Sequence, residues 1–289
     1  MIRFSKIFLY LTVAVLLVWQ LPWCYAFFTA KPVKTPFTMY SSVLGDFIFI
    51  QTDANKQIRR SDTKGNTYTQ QQVDSLLPSF YVRQLTADER FPDTICGKAV
   101  SPKDIQMTNF TFKSVPSAIN APQTGIYFLM ESMSKRVELK MPDDAFRFTG
   151  KGIEFICMET NRIDEPKSKL FTDMLLQKGF VFPASYASGN PTTRKDYDEG
   201  YLVLDANHQL FHLKCTKGCP YVKAIRLPDN VRPEYVFITE FRSRQTLGYM
   251  VDSRHHFYVI QSDGSVIKSA IPAFDPTKDE LTIFGNMFD

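Results

Sequence analysis

The sequence predicts a mainly β protein: a propeller-like repeat of four-stranded units with two helical insertions, preceded by an N-terminal transmembrane helix. Three observations lead there. An uncharged apolar block runs from Ile7 to Phe28 near the start of the 289 residues. Aromatics make up 14% of the chain, mostly Phe (25) and Tyr (13), a composition that suits strands. The second half resembles itself at a fixed offset. Hydrophobic content of 44% against 22% charged residues supports a packed core and excludes wholesale disorder. Net charge is +4, and Arg3 and Lys6 of the leader supply two of those charges. The remainder is near neutral, which excludes a nucleic-acid binder built on a basic face.

The leader admits two readings. As a secretory signal, its apolar run is an h-region, and Cys24-Tyr25-Ala26 offers small residues for cleavage. As a signal anchor, Ile7 to Phe28 gives about 33 Å of helix, enough to cross a bilayer. Trp19, Trp23 and Tyr25 would then form an interfacial belt, and this aromatic tail favours the anchor over the cleavage site. Bulky Trp23 before Cys24 argues against a lipoprotein signal. Lys31 and Lys34 match Arg3 and Lys6 in number, so charge alone does not orient the span. A six-residue tail with its α-amine is hard to translocate, which places the bulk outside the cytoplasm. The domain plan is residues 1–28 as signal-anchor or transmembrane helix, 29–40 as linker and 41–289 as a propeller-like extracytoplasmic domain.

The repeat carries the fold prediction. Gly200-Tyr201-Leu202-Val203-Leu204-Asp205, Gln209 to Leu213, Ile225 to Pro228 and Tyr235 to Ile238 form one set. Gly248-Tyr249-Met250-Val251-Asp252, His256 to Ile260, Ala270 to Pro272 and Leu281 to Phe284 form the other, offset by 48 residues. Four short strands joined by Asp/Asn/Gly turns have the size of one propeller blade. Weaker versions start at Gly45 and Gly125, the first continuing through Asn55 to Ile58 and the second through Arg136 to Leu139. The two helical insertions fill their extra length. Thr69 to Gln72 is a capping box ahead of Val73, Leu76, Leu77, Tyr81 and Leu85. Ser168 to Gln177 places Leu170, Phe171, Met174 and Leu175 on one face, with Gly179 as its stop. A β-sandwich with Greek-key connections is the alternative.

Few residues offer chemistry. The densest polar stretch, Gly189 to Gly200, contains Arg194, Lys195, Asp198 and Glu199, which could present a contact surface or bind an anion. Its Asn-Pro, Asp and Gly punctuation equally describes a solvated loop. Cys215 and Cys219 flank a tight turn and could bridge a hairpin, or remain small buried hydrophobes. Ser61-Asp62-Thr63-Lys64-Gly65 is similar to an Asp-box turn but reads best as an ordinary polar turn. His208 and His255 fall at equivalent turn positions, which points to shared turn chemistry rather than a metal pair. There is no nucleophile elbow, Walker loop, zinc-protease motif or dinucleotide fingerprint, so the sequence names no cofactor.

Leu77-Pro78-Ser79-Phe80-Tyr81-Val82-Arg83-Gln84-Leu85 and Phe91-Pro92-Asp93-Thr94-Ile95-Cys96-Gly97 resemble an uncharacterised bacterial family, domain of unknown function 4857. Gly179 to Ala184, Lys195-Asp196-Tyr197-Asp198-Glu199-Gly200-Tyr201 and Gly218-Cys219-Pro220-Tyr221-Val222 extend the likeness. The resemblance implies an N-terminal membrane anchor and an exported β-rich domain, often associated with genes for ABC-type transport. It supplies no catalytic residues. The expected role is therefore a non-enzymatic accessory or interaction protein, single-pass in the cytoplasmic membrane, possible partner being a transport complex. Alternatives are an exported glycan hydrolase or lyase, a ligand sensor, and a secreted or periplasmic protein after signal cleavage.

Overall fold

In the computed structural model, residues 2–29, 36–53, 56–133 and 138–286 are described. Apolar side chains without a charge to interrupt them make one helix, α1 (Ile2–Thr29), long and apolar enough to cross a membrane by length and composition. None of its apolar window is covered by protein. Of the expected 29–40 linker, residues 30–35 lie outside the described residues, and Phe37 onward is already strand.

The chain divides into two units, Met1–Leu77 and Pro78–Asp289. In the first, β1 (Phe37–Ser41), β2 (Asp46–Thr52) and β3 (Ile58–Asp62) form an antiparallel meander. The capping box at Thr69 and Gln72 then starts α2 (Gln70–Leu76). The helical pattern does not run on to Leu85 as one helix. Pro78 pushes Leu77 out of the helical region (φ −122°, ψ 56°), because its ring disfavours α backbone in the preceding residue.

The second unit opens with short elements: α3 (Val82–Ala87), β4 (Thr94–Ile95), β5 (Lys98–Ala99), α4 (Pro102–Thr108), β6 (Phe110–Ser114) and α5 (Pro116–Ile119). A three-stranded meander follows, β7 (Asp144–Phe148), β8 (Ile153–Cys157) and β9 (Arg162–Ile163), then α6 (Glu165–Gln177), which buries Phe171 and Leu175 and ends at Gly179 with φ +86°. Two four-stranded antiparallel sheets come next. The first contains β10 (Tyr186–Gly189), β11 (Tyr201–Leu204), β12 (Leu210–Thr216) and β13 (Cys219–Ile225). The second contains β14 (Pro233–Ile238), β15 (Thr246–Asp252), β16 (Phe257–Gln261) and β17 (Val266–Lys268). The last strand, β18 (Leu281–Gly285), returns to pair with β6.

These sheets pack face to face through three apolar layers. Tyr201, Val203, Phe211 and Leu213 share a layer with Phe146, Phe155 and Phe171. The opposite face of the same sheet, Leu202, Leu204 and Leu210, meets Val236, Met250, Tyr258 and Ile260. Tyr249, Val251 and Phe257 on the far side of the second sheet pack with Phe112, Leu281 and Ile283 of the β6–β18 pair. Alternate side chains of each strand thus fill adjacent layers, and both faces are buried.

The architecture corrects the sequence prediction in several places. It is a mixed α/β fold of small antiparallel sheets; among the described residues no sheet closes into a barrel or ring. The predicted phase was one strand late, since Tyr235 to Ile238 begins the second four-stranded sheet and Tyr186 to Gly189 begins the first. Ala270 to Pro272 is not a strand; β17 precedes it. Gly125 to Met130 forms no ladder. It makes one bridge, Tyr127 to Phe146, and buries Leu129 and Met130 without a strand partner. Arg136 and Val137 lie outside the described residues, and Glu138 and Leu139 are not in a strand.

The offset was also one residue too long. Asp205 and Asp252 close matching turns. Each Oδ1 accepts from two backbone N–H groups, of Asn207 and Gln209 at 2.8 Å, and of Arg254 and His256 at 2.9 and 2.8 Å. His208 and His255 both take the left-handed conformation, with φ of 60° and 62°. Asp62 builds the same turn in the first unit, receiving Lys64 N–H and Asn66 N–H, with Gly65 left-handed at φ 85°. With these turns superposed, Phe211 matches Tyr258, while Tyr249 matches Leu202. Tyr201 and Tyr249 therefore face opposite layers, as a one-residue slip requires.

Candidate functional site

The 189–200 segment connects β10 to β11 and folds around Lys195. The ammonium donates to the Asn190 carbonyl (2.7 Å), Asp198 Oδ1 (2.7 Å) and Glu240 Oε1 (2.6 Å), so its three N–H bonds are used. All three side chains are buried, at 5%, 3% and 2% exposure. The carboxylates are held from behind as well. Ser132 Oγ–H and Gly200 N–H donate to Asp198 Oδ2, and Glu199 N–H and Asn190 Nδ2–H donate to Glu240. Burial pushes the Glu240 carboxyl up from its ordinary value, against the pull of Lys195 and the Glu199 N–H. Lys195 and Asp198 are thus saturated scaffold groups, and Glu240, which completes them, carries no local sequence signature.

Arg194 and Glu199 have other surroundings. Arg194 is exposed on the rim of an open cleft of about 510 Å³. That size falls in the range of small-ligand and peptide-anchor sites, roughly 300–1,000 Å³. The cleft lies among β6, the end of β10 and the end of β14, with Phe112, Phe237 and Phe241 in its lining. Phe112 packs edge-on to Phe237, and Phe241 stacks on Phe110 at 4.0 Å. Lys113 and Arg242 share the lining; each is paired, with Glu280 at 2.8 Å and Asp196 at 2.6 Å. The result is a groove lined by aromatic rings and paired charges, with Arg194 as an exposed cation on its rim.

Glu199 belongs to a second cluster. Its carboxylate accepts from Lys214 at 2.8 Å and lies 3.5 Å from His212 Nε2. His212 Nε2–H donates to the Glu199 carbonyl at 2.6 Å. Burial holds the imidazole below its ordinary value, outweighing the Glu199 carbonyl and charge. A neutral histidine beside a carboxylate is the raw material of acid–base chemistry. Yet the cavity here is about 160 Å³, too small for an ordinary substrate.

The two cysteines do not bridge. Cys215 opposes Pro220 and Cys219 opposes Thr216, so their side chains leave opposite faces of the hairpin; both thiols are free. Buried Cys215 has its thiol pushed up to about 12 by burial and by the Glu131 carboxylate. Glu131 clamps this hairpin, accepting from Lys217 N–H (2.7 Å) and Gly218 N–H (2.8 Å), a role the sequence did not signal. Among the described residues no three His, Cys, Asp or Glu side chains converge as a metal site.

The sequence model of the family described as "Domain of unknown function (DUF4857)" matches residues 37–289. No curated protein matches the chain. A solved structure of PorZ, described as an essential bacterial surface component of the type-IX secretion system of Porphyromonas gingivalis, is similar at 11% identity and a TM-score of 0.26. The alignment covers 80% of this chain and 22% of that one.

Proposed function

Because the chain belongs to the DUF4857 family, which matches it from residue 37 to its end, we propose that it is a non-enzymatic, membrane-anchored accessory protein. In this reading α1 stays in the cytoplasmic membrane as a single span. The β-rich remainder lies outside the cytoplasm and contacts a membrane complex, of the ABC-transport kind that the family resemblance implies. The observation that carries the reading is α1 itself, an apolar span that none of the described residues covers. Two further observations support it. Lys195 and Asp198 are consumed in holding a loop, which leaves Arg194 and the aromatic cleft as the accessible part of the candidate site. The ends of β10 and β14, the first strands of the two four-stranded sheets, both line the cleft, so two rigid sheets support the face offered to a partner.

The test has two arms. Carbonate-washed membranes should retain the full chain, and peptide mapping should recover residues 1–28; a mature N-terminus at Phe27 overturns the anchor. A photo-crosslinking amino acid at position 113, in the cleft lining, should then capture an integral membrane protein, and adding Arg194→Glu should abolish that capture. Capture unaffected by that charge reversal overturns the cleft as the contact.

A further inference from the structure

We propose that the β1–β2–β3 sheet lies with its aromatic face on the phospholipid surface of the bilayer that α1 spans, so that the protein touches the membrane at two places. The proposal rests on the reading of α1 as a retained anchor and adds a docking surface to it.

The two faces of this small sheet differ. One carries Ser41, Ile48 and Asp62, all buried, and Ser41 Oγ–H donates to the Leu76 carbonyl of α2, so the helix meets that face at its Ser41 end, while Phe37 and Ile58 farther along it are exposed. The other carries Tyr40 and Phe47, opposite one another and in edge-to-face contact at 5.4 Å, yet each 47% exposed. Phe49 continues the row, and exposed Arg59 stands on the same face from β3. At the hairpin tip Val43 and Leu44 are exposed as well. They are held outward, because Ser41 accepts at both ends of the turn: Leu44 N–H on its hydroxyl (3.0 Å) and Gly45 N–H on its carbonyl (2.8 Å).

Chain length selects the occupant. Seven residues separate Thr29 at the end of α1 from Phe37 at the start of β1, and fully extended they reach about 25 Å. A sheet tethered that closely remains beside the interface for the life of the protein. Its composition matches that layer: Tyr and Phe rings seat at headgroup depth, aliphatic Val43 and Leu44 reach the acyl boundary, and the Arg59 guanidinium pairs with lipid phosphate.

The full-length protein, reconstituted in liposomes of phosphatidylcholine and phosphatidylglycerol with a diazirine on the acyl chain of a tracer lipid, tests this by mapping adducts after irradiation. Adducts should form in α1 and in residues 40–47. Val43→Asp with Phe47→Ser should lower the second set about fivefold and leave the α1 set unchanged. Adducts in α1 alone overturn the docking surface while leaving the anchor intact. Adducts in neither segment overturn the anchor and the docking together. Residues 40–47 without lipid adducts, yet joined to another copy of the chain when a photo-crosslinking amino acid replaces Phe47, assign the face to a second copy and also overturn the proposal.

Discussion

Replacing Lys195 by Met separates a structural role for the polar loop from a functional one. The stem keeps its length and its apolar packing, while the ammonium and its three hydrogen bonds disappear. Asp198 and Glu240, at 3% and 2% exposure, would then face each other's charge with no cation between them. Removing one partner of a buried ion pair costs about 3–5 kcal/mol, a large share of a typical domain stability of about 5–15 kcal/mol. Arg194→Ala, one residue away on the exposed rim, should stay within about 0.5 kcal/mol. The pH dependence has a definite sign. Burial already raises the Glu240 carboxyl, and loss of Lys195 raises it further. A folded-state value above the unfolded one means the folded chain binds the extra proton, so the Lys195→Met deficit should shrink as pH falls from about 8 toward 5. Combining Lys195→Met with Glu240→Gln should cost less than the two single losses added, by about 1–3 kcal/mol. Urea denaturation of full-length variants in detergent micelles measures all four. A Lys195→Met loss below about 1 kcal/mol, or one equal to that of Arg194→Ala, would refute the buried-network account.

Three other substitutions or measurements probe the fold. Phe211→Ala should cost about 3–5 kcal/mol, since the ring is 2% exposed and packs 5.0 Å from that of Phe180; chemical denaturation checks it. Burial depresses His212 below its ordinary 6.5, so the unfolded chain binds more protons below that pH. Stability should be level above about pH 6.5 and fall by up to about 1.4 kcal/mol per unit below it, and His212→Gln should flatten that slope in a pH series of urea titrations. In native protein, maleimide should label exposed Cys219 and spare Cys215, whose thiol is buried and pushed up to about 12; mass spectrometry should find Cys215 labelled only after denaturation.

What could be read in the sequence was local. The Thr69 capping box, the Phe171 and Leu175 core of the α6 face and the two Asp turns with their histidines are short-range patterns that the structure contains, whereas Leu170, assigned to the same face, is exposed and Ser168 is buried. The failures came where a distant partner decides the outcome. Gly125 to Met130 reads like a strand but meets the edge of β7 at Tyr127 alone. The common Gly-Tyr start of β11 and the middle of β15 suggested equivalence, yet a strand reads only in register with its neighbour, and the Asp turns set that register one residue away. Lys195 and Asp198 were visible as a polar stretch. Their function as a clasp depends on Glu240, 45 positions later, and no spacing rule announces such a meeting.

The pairing of β18 with β6 also sets a timetable. Roughly 170 residues of chain lie between these two strands, so their loop closure is among the most entropically demanding steps of folding. The hairpins in between can form early, because each joins sequence neighbours. The layer around Phe112, Tyr249 and Phe257 cannot be completed until residue 285 is available. Until β18 arrives, therefore, the second four-stranded sheet has one apolar face uncovered, and anything that must shield the folding chain has that interval in which to act. A chain shortened by its last strand would carry the exposed face permanently.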